Sequence, residues 1–205
     1  MIHLYRAGSI QRPADGECAM LRKSMLLLPL LLPLLLIAAT GADHAPRYNK
    51  AGALIVPKDY REWVFLSSGL NMNYGIGGHT GDDNFDNVFV DPASWRVFKA
   101  TGHWPEGTIF AKEGRLGATT GSINHSGQFQ SGDDTYLELH VRDKRFPGGW
   151  GFFEADAGKP ARVLPTTASC YACHQQHAAT ETTFVQFYPT AKPIAVKAHN
   201  FDASR

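Results

Sequence analysis

The clearest periodicity in the chain runs from Tyr136 to Arg142, where Leu137, Leu139 and Val141 alternate with Tyr136, Glu138, His140 and Arg142. Strict alternation over seven residues predicts a half-buried antiparallel strand. The segment from Gly107 to Arg115 reads the same way. It places Phe110 and Lys112 on one face and Ile109, Ala111 and Glu113 on the other. Trp150 to Glu154 predicts a further strand, ended by the turn signal from Asp156 to Pro160. Val88 to Val90 is a short strand, and Phe184 to Tyr188 a last one stopped by Pro189.

Helical spacing occurs twice. Pro57 suits a first turn, and Tyr60, Trp63, Val64 and Ser67 follow at intervals that predict a helix ending at Gly69. Asp91-Pro92 reads as an N-cap with proline at the first helical position; Trp95, Val97 and Phe98 are its apolar residues, and Gly102 closes it. Residues 43–56 read as a loose leader. Residues 71–87 and 117–132, rich in Gly, Asn, Asp and Ser, read as loops. No internal repeat is visible. The expectation is an α+β domain over residues 43–205, an antiparallel sheet with two or three helices.

The first 42 residues behave differently. Arg22-Lys23 precedes a leucine-rich run from Leu26 to Ala39, and Thr40-Gly41-Ala42 supplies small residues before Asp43. That order predicts a secretory signal peptide. The run is interrupted by Pro29 and Pro33 and falls short of the ~20 apolar residues a membrane span needs. Met20 and Met25 are both candidate starts of the signal.

Removing residues 1–42 changes the charge and the chemistry. It takes away Arg6, Arg12, Arg22, Lys23, Asp15 and Glu17, leaving 16 basic and 17 acidic residues. Such a balance predicts no nucleic acid and no anionic membrane as partner. Cys18 goes too, so the mature chain keeps Cys170 and Cys173 alone. About 160 residues must then hold together by a packed core without a disulfide framework, which one domain can do.

Those two cysteines stand in Cys170-Tyr-Ala-Cys173-His174. C-x-x-C followed at once by histidine is the attachment signature of a c-type haem. One short turn presents both thiols to the porphyrin vinyl groups as future thioethers and brings His174 beneath the iron as proximal ligand. A zinc knuckle would need two more nearby ligands, and only His177 is close. A thioredoxin-type pair would need a βαβ setting, which the surrounding pattern lacks. In bacteria c-type haem is attached outside the cytoplasmic membrane, so motif and signal peptide agree on the periplasm.

The ligand opposite His174 is not written in the sequence. Met72 is the sole methionine of the mature chain and lies in a polar stretch. His177 follows His174 too closely to reach the other face, and His79, His103, His125 and His140 read first as surface or polar-network residues. An open distal site is expected, suited to binding small molecules or reacting with them.

Several strings, in order along the mature chain, resemble the cytochrome P-460 family of periplasmic c-type haem proteins. They are Tyr60-Arg-Glu-Trp-Val64, Val88-Phe-Val-Asp-Pro92, Thr101-Gly-His-Trp-Pro-Glu-Gly-Thr-Ile-Phe-Ala-Lys-Glu113, Leu137-Glu138, Trp150-Gly-Phe-Phe153, Cys170 to His174, and Phe184-Val-Gln-Phe-Tyr-Pro189. The resemblance implies haem c held by Cys170 and Cys173 with His174 on iron. It also implies a covalent bond from Lys112 to the haem macrocycle and Glu138 as a pocket proton acceptor. From the residues alone, Lys112 reads as a solvent-facing strand lysine, and Glu138 equally well as an exposed partner of Arg142 or His140.

The resemblance further implies hydroxylamine oxidation, a homodimer, and a redox partner such as a small cytochrome. The related cytochromes c′-beta share the fold, lack the lysine bond and bind nitric oxide; Phe110, Phe85 and Phe89 are candidates for the aromatic wall of such a site. A plain electron carrier is the third alternative. The family's pocket arginine is expected just before Val88, where this chain has Asp86 and Asn87.

Overall fold

The computed structural model describes residues 45–72, 81, 83–155 and 159–205, with the side chains of residues 133–135 left aside. The proposed signal segment 1–42, His79 and much of the turn 156–160 lie outside the described residues.

Five strands form one antiparallel sheet in simple chain order: β1 (Val64–Leu70), β2 (Asn84–Val90), β3 (Ile109–Ala118), β4 (Phe129–Arg142) and β5 (Trp150–Ala155). The helices among the described residues are α1 (Pro92–Thr101), α2 (Ser169–His177) and α3 (Lys192–Lys197). The α+β expectation holds. The Asp91 carboxylate caps α1 by accepting from Ser94 N at 2.8 Å, and Gly102 closes the helix in the left-handed region. The same carboxylate accepts from Ile109 N at 3.0 Å, tying α1 to the start of β3.

The sheet is covered on both sides, and the alternation within β3 and β4 decides what each side buries. Phe110 joins Leu66, Val90, Phe98, Trp104, Trp150, Val185 and Tyr188 in one core, roofed by α1 and α3. Phe98 and Trp104 stack at 3.7 Å between centroids, and Trp104 meets Phe110 edge-on at 4.8 Å. Burying each such side chain contributes about 1.5–3 kcal/mol. Ile109, Ala111, Leu139, Val141 and Phe153 face the other way, into a second core with Leu54, Tyr60 and Trp63. Glu113 faces that way too. It is buried and accepts from Tyr60 Oη at 2.6 Å and Arg61 Nε at 2.7 Å.

Five sequence expectations need correction. Residues 57–69 do not form a helix: a 3₁₀ turn at Tyr60–Glu62 leads into β1. A β-bulge between Phe65 and Ser67 breaks the strand's alternation, so its apolar spacing imitates a helix. β2 begins at Asn84, inside the segment read as loop. β3 and β4 extend to Ala118 and from Phe129, shortening the second loop. Phe184 to Tyr188 is a 3₁₀ turn at Val185–Phe187 and not a strand. The leader is not loose either, since Leu54 is fully buried and its N–H donates to Ala161 O at 2.7 Å.

Candidate functional site

Strand register lines up three successive rows on one face of the sheet. The first is Val64, Val90, Phe110, His140 and Phe152; the second Ser67, Val88, Lys112, Glu138 and Glu154; the third Gly69, Asp86, Gly114 and Tyr136. The first row is apolar apart from His140. The second and third carry the charge. A cavity of about 530 Å³ lies against these rows, closed from the other side by Leu164, Cys170, Cys173, His174, Phe184 and Phe187. Lys112, Glu138 and His174 thus line one space.

Lys112 Nζ donates to Glu138 Oε2 at 3.2 Å, lies 3.8 Å from Asp86 Oδ2, and sits 4.8 Å over the ring of Tyr136. Asp86 is buried and accepts from Asn84 Nδ2 at 2.8 Å and from the Tyr136 hydroxyl. Burial first, and Asp86 second, push the Tyr136 hydroxyl well above its usual range, so it stays a donor. Glu138 therefore pairs with Lys112, not with Arg142 or His140; Arg142 reaches Glu181 instead, at 2.6 Å. Where an arginine was expected, just before Val88, the chain has Asp86 and Asn87, and Asp86 brings a carboxylate to the cavity. It was hidden in a polar stretch read as loop, and its only signal was its even spacing from Val88 and Val90. Among the described residues lining the cavity there is no arginine.

Cys170 lies at the start of α2, and Cys173 and His174 follow one turn later, at the i, i+3 and i+4 positions of one helical face. No disulfide joins the two cysteines. Burial pushes the Cys170 thiol up, keeping it protonated. His174 Nδ1 lies 2.7 Å from the carbonyl oxygen of Thr182. Donation there fixes the tautomer and leaves Nε2 as the unprotonated nitrogen of a residue that lines the cavity, the tautomer a metal-bound histidine adopts. Burial also lowers the His174 pKa, favouring the neutral imidazole that metal binding requires. Phe152 and Phe184 hold the ring at centroid distances of 4.6 and 4.4 Å. No three His, Cys, Asp or Glu side chains converge among the described residues, so a zinc knuckle has no ligand set here. The sheet is antiparallel throughout, which is not the thioredoxin setting.

Paired thiols, an oriented neutral imidazole and a largely apolar space of cofactor size fit a haem. The sequence profile of the Cytochrome P460 family matches residues 57–185, a stretch holding Lys112, Glu138, Cys170, Cys173 and His174. The chain belongs to the cytochrome P460 family. No curated protein matches it. Membership makes it a cytochrome, a haem- and iron-binding protein, and the α2 face opposite the charged rows is where this cytochrome P460 chain can hold that group.

Of the other described histidines, His140 alone lines the cavity. His125 is exposed in the β3–β4 connection, and His103 lies 2.7 Å from Glu181 Oε1. His140 packs against the ring of His174 at 4.9 Å, beside it and not across from it. Met72 lines the cavity where it passes Gly69. Of the three phenylalanines proposed for an aromatic wall, only Phe110 lines the space; Phe89 turns to the opposite core, 6.1 Å from Tyr60, and Phe85 shares its strand parity. Phe152, Phe184 and Phe187 take their place.

His140 also makes the fold of this cytochrome sensitive to acid. It is buried, stacked on Phe152 at 4.0 Å, and its Nε2 finds no partner among the described residues. Burial, then the nearby His174, hold its pKa well below the ordinary 6.5. The unfolded chain takes up a proton near 6.5 that the folded chain refuses, so stability is full above that pH and declines as pH falls below it. Urea midpoints measured between pH 7.5 and 5 should fall with pH, and His140→Phe should flatten that fall. An equally steep decline in the variant would assign the sensitivity to other groups.

Proposed function

We propose that this cytochrome is a haem c enzyme that oxidises hydroxylamine, acting in the periplasm after removal of residues 1–42 as a signal peptide. The observation that carries the reading is the meeting of Lys112, Glu138 and His174 on one cavity. Cys170 and Cys173 would anchor the haem as thioethers, His174 Nε2 would ligate its iron, and Lys112 Nζ would form an additional bond to the macrocycle. When bound, the haem supplies a redox-active iron that accepts the substrate's electrons.

The chain's own residues do the rest. Glu138 takes a proton from the substrate nitrogen or oxygen as electrons leave, the role of a positioned general base. The described cavity lining carries the carboxylates of Asp86, Glu138 and Glu154, and the one ammonium among them, on Lys112, is given up when its nitrogen joins the macrocycle. That excess of negative charge favours a small neutral or cationic substrate such as hydroxylamine over an anion. Val88, Phe110, Phe152 and Phe184 limit water around the reacting atoms. Electrons would pass to a small redox protein, and the active unit would be a homodimer.

The apolar part of the lining also supports a second reading, capture of nitric oxide at an uncross-linked open haem in the manner of cytochromes c′-beta. One preparation separates these readings. The chain is expressed in a host that matures c-type haem, and its reduced spectrum and hydroxylamine turnover are recorded. A broad, red-shifted Soret band with turnover is expected. An ordinary high-spin band with nitric oxide binding and no turnover would establish the second reading. A low-spin spectrum with a sixth protein ligand would make the protein an electron carrier.

A further inference from the structure

The carbonyl that orients His174 belongs to an unusual turn. Thr180 and Thr183 pair as an isolated antiparallel bridge, with Thr183 N donating to Thr180 O at 2.7 Å and Thr180 N to Thr183 O at 3.2 Å. The two residues between them, Glu181 and Thr182, both have left-handed backbones, with φ of 46° and 60°. Two-residue turns of this hand are normally built from asparagine and glycine, because a side chain on Cβ crowds the backbone there. A β-branched threonine is among the least suited residues. Its hydroxyl gains nothing from the arrangement, being buried without a partner among the described residues. Something else must hold the turn in place.

The Glu181 side chain is placed to do so. Oε2 accepts from Arg142 Nη1 at 2.6 Å and from Trp104 N at 3.1 Å. Oε1 accepts from Asn200 Nδ2 at 3.1 Å and lies 2.7 Å from His103 Nδ1. One carboxylate thus ties the turn to the end of β4, to the segment following α1, and to the residues after α3. The adjacent residue, Thr182, presents its carbonyl to His174 Nδ1 at 2.7 Å.

We propose that Glu181 is a positioning residue for the haem's axial ligand. By pinning a turn that would otherwise relax, it holds the Thr182 carbonyl against the imidazole N–H. A firm acceptor at Nδ1 raises the electron donation of Nε2 and favours ferric iron, since outer partners of a metal-bound histidine tune ligand basicity. This rests on His174 being the axial ligand of a bound haem, as proposed above.

The test uses the haem-loaded full protein and two readouts independent of turnover, the reduction potential and the iron–histidine stretching band of the ferrous form. Glu181→Ala should keep its haem, lower the frequency of that band, and favour ferrous iron by about tenfold, equivalent to a rise of about 59 mV for one electron. Glu181→Gln should shift both in the same direction by less. Glycine accepts a left-handed backbone without strain, so the double variant Glu181→Ala/Thr182→Gly should recover much of the wild-type potential and frequency. An iron–histidine band present in the wild type and unmoved in Glu181→Ala would overturn the proposal. So would a shift that glycine at 182 leaves unrescued, because the effect would then not run through the turn. A five-coordinate, high-spin ferrous wild type with no iron–histidine band would overturn the axial assignment itself and this inference with it.

Discussion

Replacing Lys112 with leucine is expected to leave the haem attached through Cys170 and Cys173, return the reduced Soret band to the position of an ordinary c-type haem, and abolish hydroxylamine oxidation. The fold should tolerate the change. Lys112 is 28% exposed, and its pairing with Glu138, itself about half exposed, contributes little to stability in the presence of solvent. Its neighbours across the strands are Val88 and Glu138, so leucine meets no steric barrier in the register. What leucine lacks is the nitrogen. Lys112→Arg keeps the positive charge between Asp86 and Glu138 while removing the primary amine, and it should show the same ordinary spectrum. A red-shifted band persisting in either variant would sink the cross-link. A normal band together with retained turnover would show that the oxidation does not depend on it.

Glu138→Gln tests the proton acceptor. The substitution keeps the shape and the cavity but removes the basic oxygen that faces Lys112. Turnover should fall on the order of 10²–10⁴-fold, the usual contribution of a general base, while the reduced spectrum and nitric oxide affinity stay as in the wild type. Full turnover in Glu138→Gln would shift the role to one of the two other carboxylates on the cavity. Of these, Asp86 is engaged by Tyr136 and Asn84, whereas Glu154 stands beside Glu138 in the same row. Glu154→Gln would then decide between them.

How much of this was readable before the structure depended on whether a local rule acted alone. The alternation over Tyr136–Arg142 and around Phe110 and Lys112 gave the correct faces, because each strand has one apolar side and one chemical side. Asp91, Pro92 and Gly102 marked α1 because capping is a short-range effect. β1 escaped because its bulge shifts the phase of the side chains midway, and a period-2 pattern with a slip resembles a period near 3.6. The 184–188 segment escaped for a different reason. A short aromatic run has no period of its own, and its 3₁₀ form is set by packing on the Phe110 side of the sheet.

The site divides the same way. Cys170, Cys173 and His174 are adjacent in sequence and announce themselves. Lys112 and Glu138 come together only through strand pairing, so the sequence could place each on a face but not beside the other. Asp86 and Glu181 carried no usable signal. The first lay in a stretch dominated by turn residues, and the second sits in a turn whose composition contradicts its conformation.

The two cores on either side of the sheet have a consequence for how such a protein can diverge. Along β3 the odd-numbered residues Ile109, Ala111 and Glu113 turn away from the cavity, whereas Phe110 and Lys112 line it. Substitutions at the even positions therefore alter reactivity while much of the cohesion is carried by their odd neighbours. Residues on the two faces can therefore change largely independently of one another.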